Sequence, residues 1–166
     1  VYKRQPYILW MNMKTSDLFV KCLENEGIEY IFGVPGEENA DFLMSLHESK
    51  KIKFILTRHE QGAAFMAESY GKLTGKLSCC LSTLGPGATN LLTGVADANM
   101  DHSPVLVITG QGSSDRLHKE SHQIMDVCHM FKSVTKWTTS VRNPATIPEI
   151  IRNCLLYTSP SPRDRS

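Results

Sequence analysis

From residue 54 to residue 111 the chain alternates short β-branched or apolar runs with longer stretches of helical period, and a glycine-rich turn follows each apolar run. The pattern predicts strands at 30–32, 54–57, 77–83 and 104–109, with 133–141 as a last one. The first helix begins directly after Met13, capped by Thr15 or Ser16, with Leu18, Phe19, Cys22 and Leu23 as its apolar stripe and Gly27 as its stop. A second helix is expected over 38–47 with Phe42, Leu43 and Leu46 facing inward, and 50–53 reads as a solvated charge run. The third helix opens at Glu60 and carries Ala63, Ala64 and Ala67, small enough for close packing. A fourth ends near Asp101, and another starts at 147–152. Residues 112–128 are polar and without period, which predicts a mobile loop. Strands separated by helices imply an α/β fold: a mostly parallel sheet with helices on both faces.

At 166 residues, 41% hydrophobic and 21% charged, the chain has the composition of one globular domain, and no apolar run approaches the roughly 18 residues of a membrane span. Both ends stand apart. Residues 1–5 and 154–158 can be encoded by one DNA element read in opposite orientations. That element resembles the transposon end used in sequencing libraries, and 159–166 continues like its adapter. The expected division is therefore a non-native lead over 1–12, a truncated native domain over 13–153 and an adapter-derived tail over 154–166. Without Lys3, Arg4, Arg163, Arg165 and Asp164, 18 basic and 17 acidic residues become 14 and 16, and the net charge moves from +1 to −2. That leaves no basic footprint for nucleic acid. Cys22, Cys79, Cys80 and Cys128 lack metal-type spacing and read as reduced core residues of a cytoplasmic protein, with adjacent Cys79 and Cys80 on opposite faces of a strand.

Candidate chemistry gathers where strands hand over to helices. Turns at 33–36, 85–87 and 110–112 would align along the carboxyl edge of the sheet, where parallel α/β folds bind ligands and helix N-termini offer backbone amides. None is a nucleotide motif: the run Gly85-Pro86-Gly87-Ala88-Thr89-Asn90 lacks the third glycine of the dinucleotide fingerprint, and no Gly-Lys-Ser/Thr is present. His118 and His122 have metal-ligand spacing without an evident third ligand and read as solvated loop histidines. Asp97 and Asp101 read as solvating a helix end, and Phe65 and Tyr70 as core or interface. No metal-ligand set emerges. Glu60 alone would be a surface carboxylate favoured by the helix dipole.

Residues 27–137 resemble the amino-terminal, pyrimidine-binding domain of thiamine-diphosphate enzymes, near the acetolactate (acetohydroxyacid) synthase branch. The resemblance rests on Phe32-Gly33-Val34-Pro35-Gly36, Arg58-His59-Glu60-Gln61 with Ala63-Ala64 and Met66-Ala67-Glu68, the run 85–90, Ala96-Asp97-Ala98, 104–111, His122-Gln123 and Thr135-Lys136, in order. It implies that Glu60 contacts N1′ of the cofactor's aminopyrimidine, a task suited to a carboxyl shielded from water. It also implies that Pro35, Pro86 and Asn90 line the pyrimidine pocket and that Gln123 faces the active-site cleft. The implied enzyme decarboxylates pyruvate and joins the remainder to a second 2-keto acid, in branched-chain amino acid or acetoin metabolism. Its Mg²⁺ sits on a diphosphate domain absent here, and each site forms between subunits of a homodimer or tetramer, so the fragment alone is expected to be inactive. Ser121-His122-Gln123 stands where many biosynthetic synthases have Phe-Gln-Glu, which leaves FAD open. Rival readings are another 2-keto-acid decarboxylase or sulfoacetaldehyde-type enzyme, or a stand-alone cofactor-binding domain.

Overall fold

A computed structural model describes residues 13–158 apart from 118 and 120, with the backbone alone at 157 and 158. Among the described residues the order is α1 (Thr15–Asn25), β1 (Tyr30–Gly33), a 3-10 turn (Glu37–Asn39), α2 (Ala40–His47), β2 (Lys53–Leu56), α3 (Glu60–Thr74), β3 (Ser78–Ser82), α4 (Pro86–Met100), β4 (Val105–Thr109), α5 (Val127–Phe131), a second 3-10 turn (Pro144–Thr146) and α6 (Ile147–Thr158). The strands form one sheet in the order β2-β1-β3-β4, and every pairing is parallel.

Alternation along the strands builds two cores. Ile31, Cys79, Leu81 and Leu106 face α1 and α6, joining Leu18, Cys22, Leu23, Ile147 and Ile151. Their neighbours Phe32, Cys80 and Val107 face the other way, against Ala63, Ala64 and Ala67 of α3 and Leu91 and Val95 of α4. Cys79 and Cys80 thus lie on opposite faces, both 0% exposed and both free thiols. The alanines do what their size allows: α3 and α4 approach so closely that a Cβ on Gly94 would lie 2.6 Å from the Ala64 Cβ. Among the described residues no helix is long and apolar enough to cross a membrane.

Three local expectations are corrected. No side chain caps α1: Lys14 is its N-cap, while the Ser16 hydroxyl accepts from Ser45 Oγ of α2 at 2.8 Å, so tertiary contact has taken the capping group. The stretch 50–53 is not merely solvated charge, since Ile52 is 4% exposed in the core and Lys53 opens β2. No strand forms over 133–141. There Val134 N donates to Phe131 O at 3.1 Å and Thr135 Oγ1 donates to the same carbonyl at 2.8 Å, local bonds that turn the chain away from a ladder. The polar stretch before it ends in α5, which the pattern does not predict and which buries Val127 and Phe131. The helix expected from 147 continues through 158, with Cys154 and Leu155 packed on the α1 core.

Candidate functional site

The three glycine turns lie together at the carboxyl edge of the sheet because all four strands run the same way. At the first, Gly33 ends β1 against β3 so closely that a Cβ would stand 2.5 Å from Leu81 O. Asn39 shapes the turn itself: Gly36 N donates to its Oδ1 at 2.9 Å, and its Nδ2 donates to Val34 O at 3.3 Å. Pro35 stands exposed on this turn.

Glu60 is delivered from the end of β2. Thr57 anchors that exit, donating from N to Gly33 O at 2.9 Å and from Oγ1 to His59 O at 3.1 Å. His59 caps α3 by accepting from Gln61 N on Nδ1 at 3.1 Å. Glu60 is the first residue of the helix, where a carboxylate suits the dipole, and it is only 9% exposed.

The turn after β3 supplies the partner. Gly85 takes φ 57°, ψ −121°, a conformation that needs glycine, and its bare Cα admits the backbone of Gln123 where a side chain would collide. Gln123 itself has φ 56° and an exposed side chain. Pro86 starts α4, where its missing N–H costs nothing. Gly87 and Asn90, three residues apart, share the helix face toward α3. Asn90 Nδ2 donates to Glu60 Oε2 at 3.0 Å, and a Cβ on Gly87 would lie 3.4 Å from Glu60 Oε1. Among the described residues Oε1 takes no hydrogen bond.

The structure therefore joins Glu60 directly to Asn90, and Gln123 to the turn bearing Pro86. Pro35 belongs to the adjoining turn, linked through Thr83, a residue that sequence reasoning missed. A Cβ on Gly36 would lie 2.8 Å from Thr83 Cβ, and one on Gly87 2.9 Å from its Cγ2. Thr83 Oγ1 also donates to Glu38 Oε2 at 2.8 Å. That bond, with the Glu38 backbone and the charges of His122 and Arg116, holds the Glu38 carboxyl below the usual range. The available signal was position: Thr83 lies between an apolar run and a glycine turn.

Among the other candidates, His122 is exposed and stands beside the edge, where its charge bears on Glu38, and His118 lies outside the described residues. Glu68, Asp97 and Asp101 bring carboxylates within 4.8 Å of one another, but Lys72 pairs with both Glu68 and Asp101, and those two contacts raise its pKa, Asp101 foremost. Asp101 is thus an ion-pair partner as well as a helix end. Tyr70 donates to Glu29 at 3.0 Å and tilts against Tyr30. A cavity of about 500 Å³ runs along β4 and 134–142, and neither Glu60 nor Asn90 lines it. The cavity reaches the third glycine turn at 110–112, but the buried carboxyl and its amide partner meet beside the first two turns, so that part of the edge is the functional candidate.

Residues 13–130 match the family described as "Thiamine pyrophosphate enzyme, N-terminal TPP binding domain". The chain is 41% identical over 140 residues to a "Probable acetolactate synthase large subunit" of Methanocaldococcus jannaschii, covering 84% of this chain and 24% of that protein. It is 39% identical over 145 residues to an acetolactate synthase of Bacillus subtilis, covering 87% and 25%. To a chloroplastic acetolactate synthase of Arabidopsis thaliana it is 38% identical over 150 residues, covering 90% and 22%. The chain spans about a quarter of the length of these relatives.

Proposed function

The chain belongs to the thiamine pyrophosphate enzyme family, whose N-terminal TPP binding domain it carries, and from that premise we propose that it is the pyrimidine-binding part of a thiamine-diphosphate-dependent acetolactate synthase. Thiamine diphosphate, when bound, supplies a nucleophilic carbon and an electron sink for decarboxylating a 2-keto acid. The residues present fit its aminopyrimidine end. A ring nitrogen that shares a proton needs a carboxyl sheltered from water with an oxygen to spare. Glu60 is 9% exposed, and its Oε1 takes no bond among the described residues. This carboxyl is the single observation that carries the reading.

In this role Glu60 holds the proton at the ring nitrogen, and its neighbours shape the slot. Pro86 and Pro35 give it rigid apolar walls without N–H groups to compete for the ring. Gln123 presents an amide toward the cleft from the loop that rests on Gly85. The first turn of α4 closes against the carboxyl at Gly87 and Asn90 and leaves Glu60 only 9% exposed. Acetolactate synthase names on relatives near 40% identity favour pyruvate as first substrate and a second 2-keto acid as acceptor. The diphosphate and Mg²⁺ are assigned to residues outside those described, since two of the three clustered carboxylates, Glu68 and Asp101, are already paired with Lys72. A homodimer or tetramer that brings a diphosphate domain to this edge completes the site.

The test is Glu60→Gln in the complete enzyme. The amide keeps the shape and loses the proton site, so kcat should fall at least about 100-fold, the low end for a positioned acid–base group. Thiamine diphosphate should still bind. Unchanged turnover would overturn the assignment.

A further inference from the structure

By resemblance Asn90 lines the cofactor pocket, but its amide does something more specific. Nδ2 is a donor only, and at 3.0 Å from Glu60 Oε2 it requires a lone pair on that oxygen. Protonating Oε2 would weaken that bond, because a hydroxyl oxygen accepts less well than a carbonyl or carboxylate oxygen. The proton of this carboxyl therefore belongs on Oε1, the oxygen that a Cβ on Gly87 would approach to 3.4 Å. From this geometry we infer that Asn90 is a positioning residue: it pins Oε2, sets the rotation of the carboxyl plane and so selects Oε1 as the oxygen that exchanges a proton with a bound ring. The inference rests on the reading of Glu60 given above.

The arrangement is economical in sequence and demanding in space. Asn90 and Gly87 share one face of α4, so one residue grips the carboxyl while the other leaves room beside its second oxygen. Thirty positions separate Asn90 from Glu60, and the contact is part-buried. Because α4 and α3 cross at Gly94 and Ala64, the two residues are held by a rigid helix pair, which suits a group whose orientation matters. An aspartate at position 90 would be roughly isosteric yet would set an acceptor and a charge against Oε2.

The experiment is a double-mutant cycle in the complete, Mg²⁺-loaded enzyme with Glu60→Gln, Asn90→Ala and the pair. Both steady-state kinetics and thiamine diphosphate affinity by calorimetry are read. Asn90→Ala should lower kcat about 10- to 100-fold, with KM for pyruvate and the melting temperature nearly unchanged. Asn90→Asp should lose at least as much. In the Glu60→Gln background Asn90→Ala should cost little more in either readout, because it acts only through that carboxyl. If Glu60→Gln is crippled and Asn90→Ala still exacts its full factor on top, the positioning role is overturned while the function stands. If Glu60→Gln itself turns over normally, the reading of the site falls and this inference falls with it.

Discussion

Cys79 and Cys80 show how two adjacent side chains join a strand to both of its cores. Burial pushes the Cys80 thiol up to about 12 from an ordinary 9.0 and Cys79 well above its ordinary value. Below pH 9 both thiols are protonated, folded or unfolded, and their burial contributes in full. Between 9 and about 12 the unfolded chain gives up protons that the folded one retains. The folded state then binds more protons, so stability falls as pH rises. The Cys80 thiol should cost on the order of 1 kcal/mol per pH unit in that window, and Cys79 acts in the same direction. Urea midpoints measured from pH 8 to 10.5 should decline less steeply in Cys80→Ala than in the parent, whatever constant cost the small cavity adds. Parallel slopes would mean that the thiol is not what titrates. The comparison between variants matters because Tyr70, raised by burial and by Glu29, also titrates at alkaline pH in both proteins.

Among elements, the crossing of α3 and α4 decides whether Glu60 and Asn90 meet, and two glycines on this pair should respond oppositely to the same substitution. A Cβ on Gly94 would lie 2.6 Å from the Ala64 Cβ and 3.1 Å from Phe65 N, whereas one on Gly62 meets nothing within 4 Å. Gly94→Ala should therefore destabilise by about 1–3 kcal/mol through overpacking. Gly62→Ala should be neutral or stabilising by up to about 1 kcal/mol, the usual gain over glycine in a helix. Chemical denaturation reads both, and equal effects would contradict the packing described. This is also where legibility in the sequence divides. Period and turn chemistry located strands within a residue or so, as with 30–32 against Tyr30–Gly33 and 54–57 against Lys53–Leu56, because alternation and glycine stops are local signals. The segment 133–141 has the composition of a strand, yet its backbone bonds go to the end of α5. Composition cannot reveal that competition. Asn90 was in view as a letter of a motif, and Thr83 only as the end of a predicted strand. Their contacts with Glu60 and Glu38 depend on which strands neighbour which, and no local pattern carries that order.

For the whole molecule, the sheet order places stability and adaptability at opposite ends of the same site. β3 lies between β1 and β4 with all five residues buried, and β1 lies between β2 and β3. β2 is an edge strand with Lys53 and Leu56 exposed, and β4 has β3 as its one ladder partner among the described residues. Amides in β3 can be released only by opening both cores at once, so their exchange should report global unfolding, with β1 close behind. Those of β2 and β4 should exchange sooner through edge fraying, and those of 113–126 sooner still. In the last segment, bonds such as Arg116 N to Ser113 O at 2.9 Å close only local turns. Asn90 and the turn before α4 hang on the slowest strand, whereas Gln123 belongs to the fastest segment and meets the site through Gly85. Hydrogen exchange on the complete enzyme should therefore show thiamine diphosphate slowing 113–126 markedly through direct ordering of the loop, in addition to the slowing of β3 that follows from stabilising the folded state. Protection gained mainly in β3, with 113–126 unaffected, would mean that the ligand stabilises the domain globally and that the Gln123 loop is not part of the site.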